Sequence, residues 1–304
     1  MRVFVTGASG FVGSAIVDEL LKNGHEVLGL VRSDKSAGAL EAAGATPLRG
    51  DVNDAGVLYA GATNADAVIH TAFNHDFSQY KANCEADRQV IKTLGEALAG
   101  SGKPLVVTSG TGILHYDRPI TEDDVLSAGS DVIPRAVTDE AANAVAATGV
   151  DVYIVRLPAS VHGAGDHGFV PIIVGIAKEK GESAYIGDGD NRWPAVHRFD
   201  AAVLYRLIIE KRPDLKVLHA VAEEGIPFRE IAKTIGTGLN LPVTGKTDEA
   251  ATAHFGWFTH FAGMNCVASS ARTRETLGWD TNAPGLLTDI ETAGYLTASP
   301  AARH

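Results

Sequence analysis

Thr6-Gly7-Ala8-Ser9-Gly10-Phe11-Val12-Gly13 is the stretch that decides the fold. It follows the strand-like run Arg2-Val3-Phe4-Val5. It opens a segment, Phe11 to Asn23, in which Val12, Ile16 and Leu20 recur at helical spacing on one face. Gly24 then ends that helix. A backbone lacking Cβ can approach a pyrophosphate closely, and a helix N-terminus presents free N–H groups and partial positive charge to it. Gly13 lets the helix pack tightly on the strand. The spacing is G-x-x-G-x-x-G rather than G-x-G-x-x-G. The strand before it and the helix after it supply the context that a glycine pattern alone lacks. Gly7, Ser9, Gly10, Phe11, Val12 and Gly13 are therefore candidate cofactor contacts.

The same strand–helix rhythm continues outward from this turn. Strands are expected at Val3–Thr6, Glu26–Val31, Thr46–Arg49, Ala67–His70, Leu105–Thr108 and Val152–Arg156. Helices fall between them, including Glu85–Ala99 and Asp139–Thr148. Strands this uniformly apolar are buried on both faces, which means a parallel sheet covered by helices. The expected fold is α/β, a doubly wound Rossmann sheet with a smaller C-terminal substrate domain. After Pro158 the rhythm loosens. A loop is expected over His162–Gly168, helices over Val170–Lys180, Asp200–Lys211, Phe228–Ile235, Ala268–Leu277 and Leu286–Leu296, and a strand over Val217–Val221. The division expected is 1–161 for the dinucleotide-binding domain, with 198–222 returning to it, and 162–197 with 223–304 for the substrate domain. The last six residues are expected to fray.

The 304 residues are 45% apolar and 21% charged, as a globular core requires. The net charge of −11 argues against nucleic acid and against an anionic membrane surface, because both need clustered Lys and Arg. Cys84 and Cys266 sit in neither a C-x-x-C nor a zinc spacing, so buried free thiols in a reducing compartment are expected. No run of eighteen apolar residues suggests a membrane span, and no basic segment precedes the first strand. The expected location is the cytoplasm. The expected partner is a small-molecule substrate, with a homodimer as the one protein assembly considered.

The glycine turn resembles that of the short-chain dehydrogenase/reductase superfamily, most closely its extended or atypical, epimerase/dehydratase-like branch. Further segments match in order. Asp51-Val52 resembles the acidic position that contacts adenine, and His70-Thr71-Ala72, with Phe73, the segment lining the cofactor after the fourth strand. Arg156-Leu157-Pro158-Ala159-Ser160-Val161-His162-Gly163 resembles the "R-P-x-x-V-Y-G" stretch under the nicotinamide. Trp193-Pro194-Ala195-Val196-His197-Arg198-Phe199-Asp200 resembles an "F-V-H-V-x-D" stretch. The resemblance implies that Asp51, Val52, Thr71, Ala72, Phe73, Thr108, Pro158 and Val161 border a dinucleotide.

The end of the second strand chooses the dinucleotide, since an acid there binds a ribose hydroxyl and an arginine accommodates a 2′-phosphate. Here it reads Val31-Arg32-Ser33-Asp34-Lys35. Arg32 and Ser33 favour NADP over NAD, and Asp34 opposes it.

The family's usual proton relay is a tyrosine with a lysine four residues on. The seven tyrosines are followed four places later by Thr63, Cys84, Ile120, Leu157, Gly189, Ile209 and Ser299, none of them lysine. The pair belongs before the Arg156 strand. Its Tyr falls near Val132 or at Pro134–Arg135, and its Lys near Ala136 or at Thr138–Asp139. The supporting hydroxyls survive as Ser109 and Thr111. Other candidates for the proton are His75 beside Asp76, Tyr116, His162 in the place of the family's tyrosine, and His167 on the glycine-rich loop. His162 and His167 do not form a helical zinc motif, and no metal is expected. Phe255-Gly256-Trp257-Phe258-Thr259-His260-Phe261 is either ordinary core or the far wall of an apolar pocket. The leading expectation is an NADP-linked oxidoreductase acting on a small carbonyl or alcohol. The alternatives are an NAD-dependent epimerase or dehydratase, and a dinucleotide-binding redox sensor without turnover.

Overall fold

The computed structural model describes residues 1–297; the expected fraying of the last six lies outside them. The first half alternates without a break: β1 (Arg2–Thr6), α1 (Phe11–Lys22), β2 (Glu26–Val31), α2 (Asp34–Ala43), β3 (Thr46–Arg49), α3 (Ala55–Thr63), β4 (Ala67–His70), α4 (Tyr80–Leu98), β5 (Pro104–Gly110), α5 (Val137–Ala146) and β6 (Asp151–Leu157). Then follow β7 (Ser160–His162), α6 (Phe169–Lys180), β8 (Ser183–Ile186), β9 (Arg192–His197), α7 (Arg198–Lys211), β10 (Val217–His219), β11 (Glu223–Pro227), α8 (Phe228–Leu239) and β12 (Val243–Lys246). The chain closes with α9 (Asp248–Phe255), α10 (Thr259–Ala262), α11 (Ala271–Leu277) and α12 (Leu286–Thr292).

Seven strands form one parallel sheet in the order β10-β6-β5-β4-β1-β2-β3. Val3, Phe4 and Val5 are fully buried because both sheet faces are covered. Ile16, Leu20, Leu204 and Ile208 cover one face, and Leu58, Ile91 and Leu94 the other. Each such side chain contributes roughly 1.5–3 kcal/mol by leaving water. The strand order reverses between β1 and β4, which opens a crevice at their carboxyl ends. The glycine turn leaves β1 there, and the His70-Thr71-Ala72-Phe73 segment leaves β4.

A smaller sheet, β11-β9-β7, and the parallel pair β12-β8 stand beside the carboxyl edge. Their core is aromatic, with Trp193, Phe228 and Phe258 all fully buried. Several expected boundaries move. Helix α4 starts at Tyr80, the strand β10 ends at His219, and α12 ends at Thr292. His162 belongs to a strand, where a loop was expected.

Candidate functional site

The glycine turn builds an anion site from main chain alone. Gly7 has φ +69°, and a Cβ there would lie 2.7 Å from the Ala72 amide nitrogen. A Cβ on Gly13 would lie 2.0 Å from the Gly7 carbonyl oxygen, so the first turn of α1 closes onto the loop only with glycine. The first bond inside the helix is Ser14 N–H to Gly10 O at 2.9 Å. The amides ahead of it point out of the helix end, where no side chain caps them and no acidic residue stands. Arg198 reinforces that end. Its guanidinium lies 4.7 Å above the Phe11 ring and donates to the Ser14 hydroxyl at 2.9 Å. Val12 is half-buried and Ser9 is exposed at the turn. This cradle fits a diphosphate.

The rest of a dinucleotide site extends along the carboxyl edge. Arg32 is exposed at the end of β2, and Ser33 caps α2 by accepting the Ser36 amide at 3.1 Å. Asp34, which was expected to oppose a phosphate, is paired with Arg49 from β3. Val52, Ala72 and Phe73 line a cleft with Asn53, Asn83 and Val90. Asp51 is turned to its own loop, where one oxygen accepts the Asn53 amide and side-chain nitrogens at 2.8 Å. The Thr71 hydroxyl donates to the Thr6 carbonyl at 2.8 Å, which fixes the segment after β4 against the glycine turn. Thr108 bonds the His70 carbonyl at 2.8 Å and the Tyr205 hydroxyl at 2.7 Å. Pro158 is buried and Val161 half-buried, on the run from β6 into β7.

Where the tyrosine–lysine pair was sought, the structure holds an arginine. Arg135 lies 3.9 Å above the Phe73 ring. It donates to Asp87 at 2.6 Å and to the Thr108 carbonyl oxygen at 3.0 Å. Thr138 also donates to Asp87, at 2.5 Å. The other Asp87 oxygen accepts from His70 Nε2 at 2.9 Å, and His70 Nδ1 meets the Thr6 hydroxyl at 2.6 Å. Burial pushes the Asp87 carboxyl up, but the His70 hydrogen bond and the Arg135 charge outweigh it and hold it far below the usual carboxylate range. Sequence reasoning missed Asp87, His70 as a side chain, and Arg135 as a cation. The available signal was an arginine at a position where the family's tyrosine was expected.

The expected proton donors separate into two groups. His75 has its ring 5.1 Å from Phe73, one of the residues lining the cleft. Its surroundings hold its pKa below the ordinary 6.5, through burial first, then the charges of Arg135 and His167. The residue is exposed to solvent even so. His167 is exposed, with its ring edge-on to Phe11 at 5.9 Å. The two imidazoles lie close enough for the charge of His167 to act on His75. Asp76 does not assist His75, because its carboxylate accepts the Ser78 amide and hydroxyl at 3.0 and 2.6 Å.

The others are either closed off from solvent or, for Tyr116, engaged through the hydroxyl. His162 is 0% exposed, with Nδ1 2.6 Å from Asp289 and His197 packed against it, so no substrate reaches it. Its expected place at the hydride carbon is corrected to one in the core of the smaller sheet. Thr111 is also 0% exposed, with Cys266 Sγ 3.7 Å from its hydroxyl. Ser109 is 5% exposed, on the strand position opposite Arg156. The Tyr116 hydroxyl donates to the Val125 carbonyl at 2.9 Å. Asp166 was not foreseen: it accepts from Gly168 N and the Tyr295 hydroxyl at 2.6 and 2.8 Å and clasps the His167 loop. Among the described residues no His, Cys, Asp and Glu group could hold a metal, both cysteines are free and buried, and no helix is long and apolar enough to cross a membrane.

Residues 3–219 match the model of the NAD dependent epimerase/dehydratase family. An uncharacterized protein of Schizosaccharomyces pombe is 47% identical over 97% of this chain and 100% of its own length. A sterol-4-alpha-carboxylate 3-dehydrogenase, decarboxylating, of Dictyostelium discoideum is 28% identical over 75% of this chain and 74% of its own. The dTDP-glucose 4,6-dehydratase DesIV of Streptomyces venezuelae, solved with NAD and TYD bound, superposes with a TM-score of 0.78 at 21% identity. That match covers 97% of this chain and 96% of the other, and shares the fold.

Proposed function

The chain belongs to the NAD dependent epimerase/dehydratase family, and on that premise we propose an NADP-linked oxidoreductase that interconverts a small carbonyl compound and its alcohol without a tyrosine–lysine pair. The observation that carries this is the grouping of His75, His167 and the fixed Arg135 cation around Phe73 and Phe11, beside the diphosphate cradle. A relative named as a dehydrogenase agrees with it.

The dinucleotide, when bound, supplies or accepts the hydride. His75 hydrogen-bonds the substrate oxygen. It gives its proton when the carbonyl is reduced and takes one when the alcohol is oxidised. Arg135, held by Asp87, Thr138 and the Thr108 carbonyl, offsets negative charge developing on that oxygen. His167 and its loop cover the cleft.

Arg32 and Arg49 at the ends of β2 and β3 support NADP, since Asp34 is already neutralised by Arg49. One charge-assisted hydrogen bond to a 2′-phosphate is worth about 1.5–3 kcal/mol, or roughly ten- to a hundred-fold in affinity. Wild type is therefore expected to oxidise NADPH in preference to NADH with a panel of aldehydes and ketones. Arg32→Ala is expected to erase the preference. A wild type that favours NADH would remove Arg32 from the cofactor choice.

A further inference from the structure

We infer that Tyr295 is a positioning residue for the dinucleotide site: through Asp166 it holds the loop 163–168, and with it His167, against the cradle. The inference rests on the cradle and on no step of the carbonyl chemistry. Tyr295 follows α12 and lies outside residues 3–219, the part of the chain that matches the family model. The loop joins β7 to α6 and has little shape of its own. Three of its six residues are glycine. Gly163 and Gly165 have φ +135° and +82°, and fixing them costs the chain much freedom.

Two side chains supply the fixing. The Tyr295 hydroxyl oxygen accepts the Gly163 N–H at 3.0 Å and donates to Asp166 Oδ2 at 2.8 Å, with the Gly163 carbonyl oxygen 3.2 Å from the same hydroxyl. The other Asp166 oxygen accepts the Gly168 N–H at 2.6 Å. The start, middle and end of the loop therefore meet at one phenol–carboxylate pair. Burial pushes the Asp166 carboxyl up, and the Gly168 amide and Tyr295 hydroxyl oppose that rise. Burial and the Asp166 charge push the phenol up, so it keeps the proton it donates.

Tyr295 is itself held firmly. It is 6% exposed and packs in the aromatic core of the smaller sheet. Helix α12 before it is docked by Leu286 and Ile290, both fully buried. The same helix carries Asp289, whose bond to His162 holds the end of β7 just ahead of the loop. The far side of the loop meets the cradle. His167, next to Asp166, sets its ring edge-on to Phe11, the first residue of α1. The Ala164 carbonyl accepts from Arg198 at 3.4 Å, and Arg198 donates to Ser14 on α1. The loop clasped at Tyr295 thus stands beside the helix end that receives the diphosphate. Unclasped, it would leave that end open, and bound cofactor would escape faster.

Tyr295→Phe removes one oxygen and keeps the buried ring. The first readout is spectroscopic and needs no turnover. Phe11→Leu should shift the His167 ring proton signals in the wild-type background, because an aromatic neighbour is lost, and should leave them nearly unmoved in the Tyr295→Phe background. The second readout is NADPH release, followed by fluorescence on displacement with excess NADP. Loss of a hydrogen bond to a carboxylate should speed release about tenfold in Tyr295→Phe and in Asp166→Ala. The double variant should release no faster than either single one, since all three remove the same clasp. A Phe11→Leu shift of equal size in both backgrounds, unchanged release in the single variants, or effects that multiply in the double variant would overturn the inference. Should Tyr295→Phe not fold, Asp166→Ala carries both readouts alone, with the same expected and contrary results. Both readouts stand if no carbonyl is reduced, so the clasp and the reductase reading fail separately. A wild type that binds neither NADPH nor NADH would remove the cradle and the inference with it.

Discussion

Gly10→Val is expected to weaken NADP binding by at least about a hundredfold, or roughly 2.7 kcal/mol, in a chain that still folds. Gly10 has φ −77°, open to any residue, and a Cβ there would meet only the Gly7 carbonyl oxygen, at 3.1 Å. A side chain at this position asks the Gly7 carbonyl to give by only a few tenths of an ångström. The valine methyls instead stand over the end of α1, where a diphosphate approaches the amides. Gly7 and Gly13 could not serve for this test. A Cβ on either drives into main chain at 2.7 and 2.0 Å, so those variants would confound binding with folding. Calorimetry with NADP, together with circular dichroism, reads the outcome. Unchanged affinity in the folded variant would remove the cradle assignment.

His75→Ala is expected to lower turnover by roughly a hundred- to ten-thousand-fold, the usual loss when a general acid–base is removed. Tyr116→Phe should cost under about tenfold, because that hydroxyl is spent on the Val125 carbonyl. His162→Ala should lower stability instead, since it leaves Asp289 buried without its 2.6 Å partner. The pH profile has a definite sign. The His75 pKa lies below 6.5, so the imidazole is neutral at neutral pH. Carbonyl reduction should accelerate as the pH falls through that lowered value, and alcohol oxidation should decline over the same range. Losses under about tenfold in both His75→Ala and His167→Ala would exclude these imidazoles as the proton source.

The large sheet was legible because its strands are short apolar runs between glycine-punctuated helices. Four of them, Glu26–Val31, Thr46–Arg49, Ala67–His70 and the run ending at Thr6, keep their expected carboxyl ends. The smaller sheet was not legible. Glu223–Pro227 and Ser160–His162 are brief and mixed in polarity, and pair only through neighbours distant in sequence. The same distance hid the polar network. Arg135 finds Asp87 48 positions away, and His162 finds Asp289 127 positions away. A local pattern shows which residue types are present but not whether a histidine is enclosed by a carboxylate or left open to solvent. Sequence therefore nominated His75 and His162 together, and burial divides them.

The central claim is that this cleft performs hydride chemistry, which a dinucleotide sensor would not. Incubating the protein with NADPH carrying deuterium at the transferable position and a broad set of aldehydes and ketones tests it, with products read by mass spectrometry. The account predicts deuterium on the carbinol carbon of at least one product, dependent on the protein and lost in His75→Ala. No label in any product, alongside NADPH and NADP binding with clearly different affinities, would contradict the oxidoreductase account and leave a redox sensor in its place.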